Sequence, residues 1–195
     1  MIPSLYEPFR AWSATGSVFI ISDTHFDDAD CKYMDPAWIT PDEHIVLMKK
    51  FVHRNDTLVH LGDVGNMEYL KNLPCRKVLI TGNHDRGASY YRSVFDEVYD
   101  GPLFISDKIL LSHEPILGLP WCMNIHGHDH SGVHIDDMHI NLASNVCGYK
   151  PLNLGRFIKN GGLSGVTGIH RVTIDDAASR KIERGSIPVD QLKED

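Results

Sequence analysis

Five apolar runs in this chain each end on polar side chains that can bind a metal ion. They finish at Asp23-Thr24-His25, at Gly62-Asp63, at Gly82-Asn83-His84-Asp85, at His113 and at Gly127-His128-Asp129-His130. Short apolar runs bounded by turn residues are typical of buried strands, and glycine is typical of a tight turn. Because strand ends can gather at one edge of an α/β sheet, we expect these polar side chains to meet there.

The same pattern predicts a different arrangement of secondary structure in each half of the chain. In the first half, strands alternate with helices, as in βαβ units, and Thr40, Pro41 and Glu43 form a helix start. In the second half, most strands follow one another without helices, and Ser106-Asp107 is the predicted hairpin turn. This order predicts two packed sheets with helices outside. The predicted strands are 17–22, 56–61, 76–80, 98–99, 103–105, 108–112, 123–126, 140–143 and 166–174, and the predicted helices are 41–53, 67–73, 89–95 and 152–160.

Other segments carry weaker signals. Residues 1–16 are predicted to be a loosely packed arm. Residues 26–39 are predicted to be a solvated loop, with a lid over the site as the alternative. His44 and His53 are predicted at the surface of the first helix. His60 and His126 precede motif residues and are predicted to pack in strands or to hydrogen-bond to ligands.

Composition sets the broad class of the protein. The 195 residues fit one domain, and 42% hydrophobic with 23% charged residues is ordinary for a globular chain. The 26 acidic residues outnumber the 19 basic ones, and the net charge of −7 argues against binding long nucleic acid but leaves small anionic substrates open. The four widely spaced cysteines contain no C-x-x-C pair, so we expect buried free thiols. The sequence shows no signal peptide or membrane span, which predicts a cytoplasmic protein.

The polar strand ends share a chemistry. They offer carboxylate, amide and imidazole donors with no thiol, a set that suits Mn²⁺, Fe²⁺ or Zn²⁺. The set is too large for the shell of one ion, so two ions that share a carboxylate are the economical solution. The seven predicted metal ligands are Asp23, His25, Asp63, Asn83, His113, His128 and His130.

In this order, these motifs resemble the calcineurin-like metallophosphoesterase superfamily over about residues 17–155 of the predicted single domain 1–195. The chain is also similar to small bacterial and phage phosphoesterases of unassigned substrate, through Asp-Thr-His-Phe at 23–26, His-Leu-Gly-Asp at 60–63 and Gly-Tyr-x-Pro at 148–151. The resemblance implies a four-layer α/β/β/α sandwich, in which helices flank two mixed sheets.

The resemblance also implies a role for each site residue. Asp63 would bridge the two ions, His84 would donate a proton to the leaving oxygen or stabilise the phosphoryl charge, and Asp85 would hold the turn. The ions would share a water of lowered pKa, which supplies hydroxide for in-line attack on phosphorus. The first ion would be held by Asp23, His25, Asp63 and His130, and the second by Asp63, Asn83, His113 and His128.

The predicted function is therefore dinuclear, metal-dependent hydrolysis of a phosphodiester or phosphomonoester, with catalytic residues His84 and Asp85. Mn²⁺ is the preferred ion, with Fe, Zn or Ni as alternatives, and the partner is a small phosphate ester such as a nucleotide. One alternative is an inactive binding scaffold of the same fold, and another is a nuclease acting on nucleic-acid ends. The protein-phosphatase branch of the superfamily has Asp and Arg where this chain has Asn66 and Met67, which puts that branch in doubt. The motifs leave the substrate, the oligomeric state and the choice between mono- and diester open.

Overall fold

The computed structural model of the chain describes residues 1–170, which form a mixed α/β fold with two sheets. In chain order, the strands of this part are β1 (Val18–Ile21), β2 (Thr57–His60), β3 (Arg76–Ile80), β4 (Glu97–Tyr99), β5 (Leu103–Ser106), β6 (Ile109–Leu111), β7 (Met123–His126), β8 (His139–Asn141) and β9 (Leu152–Asn153). The first sheet has the order β4-β3-β2-β1-β9, and the second has the order β5-β6-β7-β8. The predicted pair of sheets is confirmed.

Both sheets are mixed. In the first sheet, β1 to β4 run parallel, and β9 adds an antiparallel strand beside β1. In the second sheet, β6, β7 and β8 run parallel, and β5 and β6 form an antiparallel hairpin. The turn of this hairpin is Asp107-Lys108 and not the predicted Ser106-Asp107, because Ser106 still pairs with Ile109 in the ladder. The parallel strands bring several carboxyl ends to one edge of each sheet.

The helices of the described residues are short. Thr40 caps the helix Pro41–Met48 through the predicted capping box: its backbone N–H donates to Glu43 Oε2 at 2.8 Å, and its hydroxyl oxygen accepts from the Glu43 N–H at 3.3 Å. None of these helices has the length and apolarity needed to cross a bilayer. The α-helices are α1 (Cys31–Met34), α2 (Pro41–Met48), α3 (Ala88–Tyr91) and α4 (Leu154–Lys159), and the 3-10 helices are Glu7–Ser13 and Met67–Asn72.

Two apolar clusters pack against the first sheet, one on each face. Val18 and Ile20 of β1 join residues of the second sheet, such as Ile109, in the cluster between the sheets. Phe19 and Ile21 join a cluster with α2 on the opposite face. This alternation is the period of two that places successive strand side chains on opposite faces. The site is built where these buried strands end.

The predicted loose N-terminal arm is wrong. Its 3-10 helix, Glu7–Ser13, packs Phe9 and Trp12 into the cluster between the sheets, with ring centroids 4.8 Å apart. Trp12 is 1% exposed, and its indole N–H donates to Glu97 Oε1 at 3.1 Å. The spacing of three residues between the two aromatic rings puts both on one side of a 3-10 helix.

Several predicted helix and strand bounds also change. Helix α2 ends at Met48, although hydrogen-bonded turns continue to Val52, whose N–H donates to the Met48 carbonyl at 2.9 Å. The element over Met67–Asn72 is a 3-10 helix. Helix α4 starts at Leu154 because the two preceding residues pair with β1. Residues 166–170 are not a strand, and the rest of the predicted strand, beyond residue 170, lies outside the described residues.

Candidate metal centre

Side chains of the types that can bind metal ions converge where strands of both sheets end. Asp23 follows β1, Asp63 follows β2 and Asn83 follows β3, so the parallel pairing of these strands sets the three residues side by side. His113 follows β6 and His128 follows β7, at the corresponding edge of the second sheet. The chain thus brings ligands from distant parts of the sequence to one place.

The first group of ligands consists of Asp23, His25 and His130, whose donor atoms lie within 4.8 Å of one another. Asp23 Oδ1 lies 3.7 Å from His130 Nε2 and 3.9 Å from His25 Nε2. Asp23 is fully buried and His25 is 5% exposed, whereas His130 is 18% exposed. These separations are too long for hydrogen bonds and suit donors that face a common cation.

The second group consists of Asp63, His113 and His128, and Asn83 lies beside the two histidines. Asp63 Oδ2 lies 3.4 Å from His113 Nε2, and the three donor atoms meet within the same 4.8 Å limit. Asn83 Oδ1 lies 2.8 Å from His113 Nε2 and 3.1 Å from His128 Nδ1. Asn83 and His128 are exposed, so this group opens to solvent.

Asp63 links the two groups. Its Oδ2 atom lies 3.6 Å from His25 Nε2 of the first group and 3.4 Å from His113 Nε2 of the second group. Its other oxygen, Oδ1, accepts from the backbone N–H of His84 at 3.0 Å. Burial opposes ionisation of Asp63, but the hydrogen bond and charge of His113, with the His84 N–H, lower its pKa to about 2. Asp63 is therefore a carboxylate at neutral pH.

His113 shows the reciprocal effect. Burial alone disfavours its imidazolium, but the hydrogen bond to Asp63 and the charges of Asp23 and Asp63 outweigh burial and raise the pKa of His113. The two aspartates thus create a strongly negative field in a buried pocket. A bound cation would relieve that field.

The backbone at the site adopts conformations that non-glycine residues rarely occupy. Positive φ values occur at four of the site residues: 55° at Asp23, 41° at His25, 55° at Asp63 and 68° at His128. Such left-handed conformations persist only where surrounding structure fixes them, and they are concentrated at functional sites. A Cβ atom on Gly82 would collide with Asp63 Oδ1, so glycine is required where this loop passes the carboxylate.

Three imidazoles are oriented through the ring nitrogen that faces away from the centre. His25 Nδ1 lies 3.1 Å from Asp28 Oδ2, and His130 Nδ1 lies 3.0 Å from Asn145 Oδ1. His113 Nδ1 lies 2.9 Å from the carbonyl oxygen of Leu61. Each contact leaves Nε2 facing the ligand groups, which is how outer hydrogen bonds orient histidine ligands in metal sites.

Sequence reasoning missed Asp28 because it lies in a segment with several similar aspartates, although its spacing of three residues from His25 was an available signal. The predicted solvated loop over 26–39 is partly wrong as well. Trp38 is 5% exposed, and its ring centroid lies 6.0 Å from that of His25 and 5.6 Å from that of His130. This segment therefore packs against the first ligand group.

His84 and Asp85 occupy different positions. His84 is exposed, and its ring centroid lies 5.9 Å from that of His25. The carboxylate of Asp85 instead accepts from the backbone N–H groups of Gly82 at 2.8 Å, Asp63 at 2.9 Å and Val64 at 3.1 Å. Asp85 thus ties together the two turns that carry Asp63 and His84.

The remaining predicted histidines divide by burial. His60 Nε2 lies 3.0 Å from Thr24 Oγ1, and His126 Nδ1 lies 2.8 Å from the Gly127 carbonyl oxygen. His60 and His126 are both buried and hydrogen-bonded, as predicted. The surface prediction for His44 is wrong, because His44 is 1% exposed and burial lowers its pKa to about 4. The four cysteines are free as predicted; Cys147 is half-buried and the others are buried.

The residues present fit divalent cations. Among the described residues, Asp23 Oδ1 and His25 Nε2 are buried side-chain atoms without a hydrogen-bond partner. Buried polar atoms are normally paired, and an unpaired one carries a desolvation cost that a metal ion would remove. Carboxylate, amide and imidazole donors in two adjacent groups are chemically suited to hold two such ions.

The fold and site therefore define an α/β protein with two groups of side chains that could hold metal ions. No family model and no curated protein matches the chain. Among solved structures, the chain is similar to the protein of unknown function AQ665 from Aquifex aeolicus, with 28% identity and a TM-score of 0.60 over 74% of this chain and 98% of that one. A second similar structure is the Pseudomonas putida nuclease MPE, with 20% identity and a TM-score of 0.42 over 57% of this chain and 60% of that one, a likeness too weak to carry an argument.

Proposed function

We propose that this chain is a metal-dependent phosphoesterase with a dinuclear centre. The observation that carries the proposal is the position of Asp63 Oδ2, between His25 Nε2 at 3.6 Å and His113 Nε2 at 3.4 Å. One carboxylate oxygen that faces both ligand groups is what a pair of bridged cations requires. Protein sites with two adjacent divalent ions are typical of enzymes that act on phosphate esters.

The first ion would be held by the buried group with Asp63, and the second by Asp63 with the exposed group. Such ions neutralise the charge of a bound phosphate ester and lower the pKa of water. The ligands of the first ion would be Asp23, His25, Asp63 and His130, and those of the second would be Asp63, Asn83, His113 and His128.

His84 would donate a proton to the leaving oxygen. Its imidazole is exposed beside His25, while its backbone N–H is fixed on Asp63 Oδ1 at 3.0 Å. A side chain so placed can reach a phosphate ester bound at the centre without being a ligand itself. Asp85 would act indirectly, by holding the turns of Asp63 and His84 through its hydrogen bonds.

The proposal extends to the fold and to the surroundings of the protein. We propose that the chain is a single domain with the four-layer sandwich of the calcineurin-like metallophosphoesterases, acting in the cytoplasm on a small phosphate ester. The two mixed sheets and the apolar clusters on both faces of the first sheet are compatible with that arrangement.

The test is metal analysis of the purified protein followed by hydrolysis assays with added Mn²⁺. Bis(4-nitrophenyl) phosphate and 4-nitrophenyl phosphate form a matched pair of diester and monoester. We expect two ions per chain and hydrolysis of at least one of these substrates. Protein that binds no metal would contradict the proposal, and metal-loaded protein that hydrolyses neither compound would favour the binding-scaffold alternative.

A further inference from the structure

A cleft of about 370 Å³ opens beside His84. Its lining includes Asp27, His84, Arg86 and Tyr90. A volume of this size is within the range of small-molecule sites. Because the cleft borders the proposed proton donor, whatever fills it would be attached to the leaving oxygen of the ester.

Arg86 is the one cationic side chain among the described residues that line this cleft, which also contains the carboxylate of Asp27. Its guanidinium carbon lies 4.6 Å from the centroid of the Tyr90 ring, a cation-π contact that orients the side chain and leaves its N–H donors free. Within residues 1–170, no carboxylate lies within ion-pair distance of Arg86. Both oxygens of Asp27 already have donors: Asn66 Nδ2 at 2.7 Å and the Tyr69 hydroxyl at 3.0 Å. Arg86 is therefore a cation that Tyr90 orients and that has no carboxylate partner among residues 1–170.

A second cleft, of about 300 Å³, lies beside Asn83 and His113. It is lined by Glu114 and by no lysine or arginine of the described residues. Among the described residues, the first cleft thus offers a guanidinium to an anion, whereas the second offers only the carboxylate of Glu114. A substrate with a second anionic group would place that group toward Arg86 and not toward Glu114.

We propose that Arg86, oriented by Tyr90, binds an anionic group on the leaving portion of a diester substrate. This inference rests on the proposed function and deepens it, since it names the substrate class: small diesters whose leaving alcohol carries a phosphate. In the reaction, the oxygen of water bonds to phosphorus, the bond from phosphorus to the leaving oxygen breaks, and the leaving oxygen takes a proton from His84. The proton that water loses passes to solvent, and His84 is reprotonated from solvent.

The test uses three dinucleotides with Mn²⁺-loaded protein: thymidylyl-thymidine, the same compound with a terminal 5′-phosphate, and the same compound with a terminal 3′-phosphate. We expect one phosphorylated form to have a kcat/KM about tenfold or more above that of the unphosphorylated form, because a charge-assisted bond to arginine is gained. Arg86→Gln should reduce this ratio to near one. Tyr90→Leu should reduce the ratio partially, because it removes the ring that orients the guanidinium.

Arg92→Gln is the matched control, since Arg92 is an exposed arginine just after α3 that does not line the cleft. It should leave the ratio unchanged, and metal content should be equal in all variants. Equal kcat/KM for the three dinucleotides in the parent protein, or an unchanged ratio in Arg86→Gln, would overturn the inference. Hydrolysis of 4-nitrophenyl phosphate with no cleavage of any dinucleotide would also overturn it and leave the proposed function standing. Failure to hydrolyse any phosphate ester would instead refute the proposed function.

Discussion

The two ligand groups differ in how their donor atoms are satisfied. In the first group, Asp23 Oδ1 and His25 Nε2 are buried and have no hydrogen-bond partner among the described residues. In the second group, Asn83 Oδ1 already lies at hydrogen-bond distance from His113 and His128, and both Asn83 and His128 are exposed. The first group is thus the desolvated half of the site, and the second is the half that is exposed to solvent.

This difference separates two physical roles. An unpaired polar atom in a buried place destabilises the fold, so a cation at the first group would contribute most to the stability of the protein. The partners at the second group can exchange with solvent, so a cation there would bind with a smaller effect on stability. Asp63 faces both groups, so its substitution should affect both the stability gained from a cation at the first group and cation binding at the second group.

The largest effect is expected from Asp63→Asn, which removes the charge that the two groups share. Loss of a residue that only orients a ligand costs 10- to 100-fold in metal affinity or activity, so loss of the shared ligand should cost more than about a hundredfold in both. Metal analysis and kcat/KM measure the two losses. Asp137→Asn, at a fully exposed aspartate, is the control for the change of net charge. Retention of both ions by Asp63→Asn would contradict the role of Asp63 as a ligand shared by the two groups.

His84→Ala should lower kcat by about 10²- to 10⁴-fold, the range typical of a general acid, because the leaving oxygen loses its proton donor. Metal content should stay at two ions per chain, since His84 belongs to neither group. Assays on bis(4-nitrophenyl) phosphate and metal analysis check the two halves of this prediction. The exposed His53 supplies the control variant, His53→Ala. Loss of either ion from His84→Ala would show that this residue is a ligand.

Asp28→Ala should weaken metal binding at the first group alone. Asp28 Oδ2 lies 3.1 Å from His25 Nδ1, and loss of such an orienting contact typically lowers metal affinity about 10- to 100-fold. A Mn²⁺ titration that resolves two binding steps should show one weakened step and one unchanged step. Asp28→Asn keeps an acceptor oxygen and should have a smaller effect, and the exposed Asp30 provides the control Asp30→Ala. Equal weakening of both steps would contradict the separate roles.

The smallest expected effect is a change in the free energy of unfolding with pH, caused by the buried His44. His44 lines a pocket together with His25 and Trp38 of the site. Burial lowers the pKa of His44 to about 4, whereas a histidine in an unfolded chain has a pKa near 6.5. The unfolded state therefore binds the extra proton first, and the stability that His44 supplies above pH 6.5 is lost as the pH falls toward 4. Between pH 7.5 and 5 this loss should be about 2 kcal/mol.

Urea unfolding of metal-free protein measures this effect. The fall in the free energy of unfolding from pH 7.5 to pH 5 should be smaller in His44→Gln than in the parent chain. The buried His60, whose pKa burial also lowers to about 4, remains in both proteins, so part of the fall persists in His44→Gln. The same fall in both proteins would show that His44 titrates normally in the fold.

The strands and the convergence of polar residues could be predicted because both depend on local pattern. Runs such as Val18–Ile21 are apolar throughout, and the polar side chain that follows each run marks where burial ends. Parallel pairing then places Asp23, Asp63 and Asn83 at one edge without further information. The capping box of Thr40 and Glu43 is local in the same sense.

What the sequence did not reveal depends on tertiary contacts. His44 lies one helical turn before the buried Met48, so the spacing of four residues was an available signal, but a polar residue beside a predicted helix start favoured the surface. The packing of Trp12 and the contact of Asp28 with His25 depend on which loops meet in the fold. The positive φ values at Asp23 and Asp63 are fixed by neighbouring turns, and the enrichment of aspartate in such conformations does not by itself predict which aspartates adopt them.

The central claim is that Asp63 is shared by two cations. Crystals of the protein grown with Mn²⁺ and measured at the Mn absorption edge test it directly, because anomalous scattering locates each ion independently of the protein atoms. We predict two peaks, one at the group of Asp23, His25 and His130 and one at the group of His113 and His128, with Asp63 coordinating both ions. A single peak, or two peaks of which only one contacts Asp63, would contradict the account.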